Sequence, residues 1–384
     1  QGSRACIHEV TSSLSVRVSP SVCSYRDVTY LLADMISLRQ AFQLLIVFCI
    51  GTCCWDFMKL KNLQRVPALP SLTSAELKDK VPVVVVDSRA EAVFVMPGAP
   101  SVQVLNVGAG HEYRGLRTKN RLLLRWLEDA LKEHGDRLVI LADGGDVIHG
   151  GCNHQQLLRQ YNFLVKASGG ASVVMGAELE LFPSQEHYEK SRYEELEARR
   201  RSVLQAAKLG DWWPFVQEGL GGFPGCPADS ACRYRYLNYG FMMGPISDLH
   251  RIITWIESRL HQHAIDELIN FIGRHMLGLK QNHYLSQTWS WNHGYMWNDQ
   301  GAAAIYMFNH PDAVTLDYSM SLVAQTHRYE HVAHRFLEVK AGRVWNNATG
   351  HVQCFIHGNS GGKDLVKTLV EEMRRHQEQR HLKK

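Results

Sequence analysis

The chain has 384 residues, 45% of them hydrophobic and 21% charged, which are ordinary globular values and exclude disorder along the whole length. Its 42 Lys and Arg against 38 Asp and Glu leave a net charge of +4 with no basic block, so an electrostatic nucleic-acid footprint is excluded as its organising feature. The length suits one large domain or roughly two to three smaller ones, and no internal repeat or low-complexity tract is visible.

The uncharged run at 40–55 (QAFQLLIVFCIGTCCW) is shorter than the roughly 20 apolar residues that a spanning helix needs. Read from Met35, with Arg39 ahead of it and small residues behind, it has the make-up of a signal peptide or a short signal anchor. That reading makes 1–55 an N-terminal segment with a membrane anchor near 40–55, and implies the lumen of the endoplasmic reticulum or Golgi. A buried N-terminal helix is the alternative. Residues 56–80, with Pro67 and Pro70, read as a linker.

From residue 81 onward, short β-rich runs alternate with amphipathic helices, the mark of an α/β domain. The run VPVVVV at 81–86 suits a strand covered on both faces, and 102–107 reads as a second strand. Residues 119–134 place Leu123, Leu124, Leu127 and Leu131 on one helical stripe that stops at Gly135. Strands are expected at 138–142 and 171–176, a solvated charged helix at 185–209, and a glycine-rich loop at 210–226. Helix 247–260 turns Leu249, Ile252, Ile253, Ile256 and Leu260 inward, and 366–384 reads as a basic C-terminal helix. The expected fold class is α/β, a mostly parallel sheet flanked by helices, in one large domain over 81–365. Cys226 and Cys232 bracket a loop that a disulfide could close, or remain free thiols. Asn347-Ala348-Thr349 is a glycosylation sequon, of use only to a secreted chain.

Two stretches carry candidate chemistry. In Val139-Ile-Leu-Ala-Asp143-Gly-Gly-Asp146, a buried strand delivers Asp143 to its carboxyl end, where open α/β sheets place ligands, and Gly144-Gly145 returns Asp146 to the same locality. Two carboxylates brought together repel unless a hard cation lies between them, so Mg or Mn completed by phosphate oxygens is the natural third party. A plain turn after a strand is the alternative. In Val352-Gln-Cys-Phe-Ile-His357-Gly-Asn-Ser-Gly-Gly-Lys363, an apolar run ends at an imidazole fit to complete such a site. The glycines Gly358, Gly361 and Gly362 would let backbone amides approach an anion that Lys363 and the following helix also attract. A structural histidine before a flexible loop is the alternative. No P-loop, dinucleotide fingerprint, zincin pair or nucleophile elbow is found.

Over roughly 81–365 the chain resembles the glycosyltransferase domain of the procollagen-lysine hydroxylase family, of GT-A type. The matching stretches, in shared order, are Leu105-Asn-Val-Gly108 with Glu112-Tyr-Arg-Gly115, Lys119-Asn-Arg-Leu-Leu, Val139-Ile-Leu-Ala-Asp143-x-x-Asp146, and Ala177-Glu178 with Phe182-Pro183. They continue with Leu237-Asn238-x-Gly240, Asp299-Gln300, Leu316-Asp317 with Gln325, and His357-Gly-Asn359 with Lys363. The resemblance implies a Mn(II)-dependent transferase, with Mg as the other ion, moving glucose or galactose from UDP-glucose or UDP-galactose to a hydroxyl, with a hydroxylysine-containing, collagen-like or other glycoprotein acceptor as partner. It implies Asp143, Asp146 and His357 as metal ligands and Lys119, Asn238, Gly358, Asn359 and Lys363 as donor-binding residues. Asp299, Asn298 and Glu178 then stand at the reacting end. In this chain Gly145 replaces the family's uracil-stacking aromatic, and the acidic run before Asp-Gln is reduced to Asn298-Asp299. A GT-A-like binding protein without catalysis and a nucleotide-sugar hydrolase are the other uses of the same residues.

Overall fold

In the computed structural model the described residues are 80–88, 101–112, 116–179, 181–182, 188–207, 236–275, 298–327, 333–334 and 336–382. The chain divides into two compact units, Ala68–Phe271 with Lys280–Lys384, and Gln1–Pro67 with Ile272–Leu279. Of the second unit only the helical residues 272–275 are described. The apolar run at 40–55, the linker and the Cys226/Cys232 loop lie outside the described residues, and no helix among those described is long and apolar enough to cross a membrane.

The first unit is built on a six-stranded sheet. Its strands are β1 (Val81–Val86), β2 (Val102–Asn106), β3 (Leu138–Asp143), β5 (Val173–Glu178), β6 (Tyr236–Pro245) and β7 (Val314–Leu316), and β4 (Val147–His149) leaves it for a smaller sheet. The order is β2-β1-β3-β6-β5-β7. Valines 83 to 85 of β1 are fully buried, as expected of a central strand paired in parallel on both sides. The sheet is mixed: β6 runs antiparallel to both β3 and β5, and the other five strands share one direction. Nine of the ten β6 residues are buried. Its sequence, YLNYGFMMGP, has no β-branched residue and two glycines, which hid it as a strand.

Helix α1 (Leu116–His134) packs on β1, α2 (His154–Ala167) on β5, and α6 (Asp299–Asn309) on β6. The charged stretch expected as one solvated helix is instead two, α3 (Tyr188–Glu195) and α4 (Glu197–Ala206). They are not purely surface elements: Tyr193, Val203 and Arg200 are buried, Arg200 paired at 2.6 Å with Glu197. Helix α5 (Ile246–His275) runs well past the expected end, with Leu249, Ile252, Ile253, Ile256 and Leu260 all buried.

A second sheet of three strands, in the order β4-β12-β8, is formed by β8 (Val323–Gln325) and β12 (Phe355–His357) with β4. A third contains β9 (Leu337–Lys340), β10 (Arg343–Asn346) and β11 (His351–Val352), and helix α7 (Lys363–Leu382) packs against it. The sequon asparagine, Asn347, sits at the turn after β10, partly exposed. A disulfide joins Cys152 to Cys354 across 202 positions, a pairing that cysteine spacing did not suggest. Closing so long a loop removes about 5 kcal/mol of chain entropy from the unfolded state.

The carboxyl ends of β1 and β2 are tied together by one side chain. The Asn106 carbonyl oxygen accepts from the amides of Asp87 and Gly108, each at 3.0 Å, and its amide nitrogen donates to the Asp87 carbonyl at 2.9 Å. Gly108 is required there, since a Cβ would lie 2.6 Å from the Asp87 nitrogen. Asp87-Ser88 is thus a braced strand end. Asn106→Ala strands three backbone groups and is expected to cost about 2 kcal/mol in urea unfolding; an unchanged midpoint would show that this brace is dispensable.

Candidate metal centre and cavity

Asp143 is the last residue of β3, Asp146 ends the glycine turn just before β4, and His357 is the last residue of β12. Antiparallel pairing sets His357 opposite Val147, one residue from Asp146, and the Gly358 amide donates to the Asp146 carbonyl at 2.7 Å. One ligand atom from each of Asp143, Asp146 and His357 lies within 4.8 Å of the others. Three residues from two sheets, more than 200 positions apart at the extremes, therefore meet at one point.

The centre suits a cation. The His357 side chain is 2% exposed, yet neither ring nitrogen has a hydrogen-bond partner, and the buried Oδ1 of Asp146 has none either. Such orphaned atoms are costly unless something else satisfies them. The His357 Nε2 stands 3.6 Å from that Oδ1, longer than a hydrogen bond. Two carboxylates and one imidazole form a mixed oxygen and nitrogen set that fits Mn(II) and is open to Mg. Burial works to raise the Asp146 carboxyl, but the neighbouring His357 and Lys363 outweigh it and hold it below its usual range.

Gly240 makes the meeting possible. A Cβ on it would lie 2.2 Å from the His357 ring and 2.9 Å from the Asp143 carboxylate. Gly145, at φ +104°, has a backbone that side chains other than glycine adopt only under strain, so an aromatic between the two aspartates is incompatible with this turn.

A cavity of about 580 Å³ opens on the three ligands. Lys119, Glu178, Asn238, Asn298, Asp299 and Asn359, all singled out from sequence, also line it; Gly358 and Lys363 are not among its lining residues. Lys119 donates to Asp143 at 2.5 Å, lies 3.9 Å from Asp299 and sits over the Tyr239 ring at 4.7 Å. Its ammonium, implied by the resemblance as donor-binding, is engaged with carboxylates in this structure. Lys363, largely exposed, reaches Asp146 at 3.5 Å. The expected amide cradle needs correction: the Gly358 amide goes to Asp146 and that of Gly362 to the Asn359 carbonyl. Both glycines are there for close packing, since a Cβ on Gly358 would strike Val366 and one on Gly362 would strike Thr326.

The floor of the cavity is a hub of carboxamides around Glu178. Its buried carboxylate accepts from Asn238 at 3.0 Å, Gln300 at 2.6 Å and Asn359 at 2.9 Å, gathering β6, α6 and the loop after β12. Burial is the main reason its carboxyl rises to about 7. Asn298 caps α6, accepting from the Gln300 amide at 2.8 Å, and so fixes Asp299 in the first helical turn. Burial, against the pull of Lys119, raises the Asp299 carboxyl, and its Oδ2 has no hydrogen-bond partner. Phe182 is half exposed at the rim.

Sequence reasoning missed Tyr239, Ser360 and His327 on the cavity wall, and assigned Gln300 no role. His327 follows β8, which lies parallel to β12, so the strand-end logic that found His357 applied to it as well. Compared with known proteins, the chain matches no family model and no curated protein.

Two outcomes are expected. Gly240→Ala should weaken Mn(II) binding at least tenfold, read from the free-ion electron paramagnetic resonance signal, because the His357 ring must move; unchanged affinity would remove that ring from the ligand set. Glu178 has a folded-state value of about 7 against an ordinary 4.5, so its contribution to stability is full below pH 4.5 and is lost as pH rises through 7. At about 1.4 kcal/mol per pH unit, that is a decline of about 3 kcal/mol across the window. Urea unfolding of the metal-free protein should show this decline and Glu178→Gln should lack it; identical pH profiles would contradict the assignment.

Proposed function

We propose that the chain is a metal-dependent glycosyltransferase of GT-A type that moves a hexose, glucose or galactose, from a UDP-sugar to a hydroxyl acceptor. The observation that carries this reading is the convergence of Asp143, Asp146 and His357 in the wall of a cavity that a further buried carboxylate, Asp299, also lines. The ordered motifs shared with the procollagen-lysine hydroxylase glycosyltransferase domain support the same reading, including a protein acceptor of hydroxylysine type and a setting in the endoplasmic reticulum or Golgi lumen.

Asp143, Asp146 and His357 would hold Mn(II), which when bound supplies Lewis-acid neutralisation of a diphosphate leaving group. Lys363, 3.5 Å from Asp146, would add positive charge near that diphosphate. Lys119 holds Asp143 in place and moderates the charge on Asp299. Asp299 is the residue suited to meet the acceptor hydroxyl or the developing charge at the anomeric carbon, since burial makes its carboxylate more basic and its Oδ2, though 3.9 Å from Lys119, has no hydrogen-bond partner. Asn298 positions it through the helix cap, and Glu178 acts through Asn238, Gln300 and Asn359, which it orients toward the cavity.

The test is UDP release from UDP-glucose or UDP-galactose with Mn(II), with and without hydroxylysine peptides. Release only with an acceptor supports transfer; equal release without one means that water is the acceptor. Asp146→Ala should abolish Mn(II)-dependent UDP binding. Asp299→Asn should retain that binding and lose about 10²–10⁴-fold in kcat; loss of binding in both variants would remove Asp299 from the reacting end.

A further inference from the structure

Cys152 and Cys354 are fully buried and joined in a disulfide. Cys152 follows β4 by three residues, and Cys354 immediately precedes β12. The bond therefore closes one end of a two-stranded ribbon whose other end carries Asp146 and His357. Between them the pairing is short: Phe355 opposite His149, Ile356 opposite Ile148 and His357 opposite Val147. Gly150 donates to the Cys354 carbonyl at 2.8 Å beside the crosslink.

The two strands pair over only these three residues, and a slip of one residue would turn the His357 ring to the opposite face. β4 is moreover an edge strand, held by β12 on one side of its sheet. Asp143 ends a strand of the large sheet, whereas Asp146 directly precedes β4 and His357 ends β12 in the small one, so the placement of Asp146 against His357 depends on how β4 and β12 are fastened to each other.

We infer that the Cys152–Cys354 disulfide is a positioning device for the metal ligands: it locks the register of β4 against β12 and so fixes Asp146 relative to His357. The cysteines touch neither ion nor substrate and act through the ribbon. The inference rests on the metal reading of the site, and it makes metal affinity depend on the oxidised crosslink.

The experiment measures the Mn(II) dissociation constant by the free-ion electron paramagnetic resonance signal, and the thermal midpoint, for the wild type and for C152A/C354A. A second pair, C152V/C354A, refills part of the lost volume should the alanine pair not fold. The control is Ile253→Ala, a fully buried site on α5, an element that is not part of the ribbon. The expected result is at least tenfold weaker Mn(II) binding in the cysteine pairs, the scale on which groups that support metal ligands act, with Ile253→Ala binding like the wild type. Equal affinity in the cysteine pairs and the wild type, or an equal loss in Ile253→Ala, overturns the inference and leaves the metal reading standing. A wild type that binds no Mn(II) overturns both.

Discussion

Everything proposed for this protein depends on one pairing, the antiparallel contact of β4 with β12. Asp143 and Asp146 are near neighbours in sequence, and a glycine turn suffices to bring them together. His357 is not. It reaches them because three residues of β12 lie against three of β4, and because Gly240 leaves no side chain where the imidazole must stand. The result is a buried ring with two unpartnered nitrogens next to a buried, unpartnered carboxylate oxygen. A fold that assembles so unfavourable a group from distant segments needs a compensating interaction, and a divalent cation is the one its donor chemistry suits.

Around that centre the polar side chains are arranged in two tiers. Lys119, Asp299 and Lys363 set charge around the candidate metal site, while Glu178 gathers carboxamides from three elements at the floor of the cavity. A carboxylate accepting three hydrogen bonds in a dry site is well satisfied yet costly to ionise, so this hub is held at a pH-dependent price in stability. The Gly145 turn bears on selectivity. Its left-handed backbone leaves no place for a stacking aromatic between the aspartates, so a nucleobase held in this cavity would depend on other surfaces.

Much of the fold was legible in sequence wherever burial was simple. The valine run of β1, the leucine stripe of α1 and the isoleucines of α5 each follow a single periodicity, and each forms the expected element. The failures share a cause. β6 mixes Asn, Tyr, Gly and Met because it lies beneath the cavity, where its residues are chosen for hydrogen bonding and clearance rather than for strand propensity. The α3 and α4 segment looks solvated because its arginines neutralise partners in place, and the Cys152–Cys354 bond connects positions that no local spacing relates. At the site, residues on strand ends were found by the direction of the strand. The glycines at 358 and 362 also pack closely, against Val366 and Thr326, a reason for glycine that their sequence does not show.

The most direct measurement is a crystal structure of the protein soaked with Mn(II) and UDP, with anomalous diffraction collected at the manganese edge. The account predicts one strong anomalous peak bonded to Asp143, Asp146 and His357, with diphosphate oxygens completing its shell. A peak held by other residues, or a diphosphate bound with no ion beside these three side chains, would contradict it.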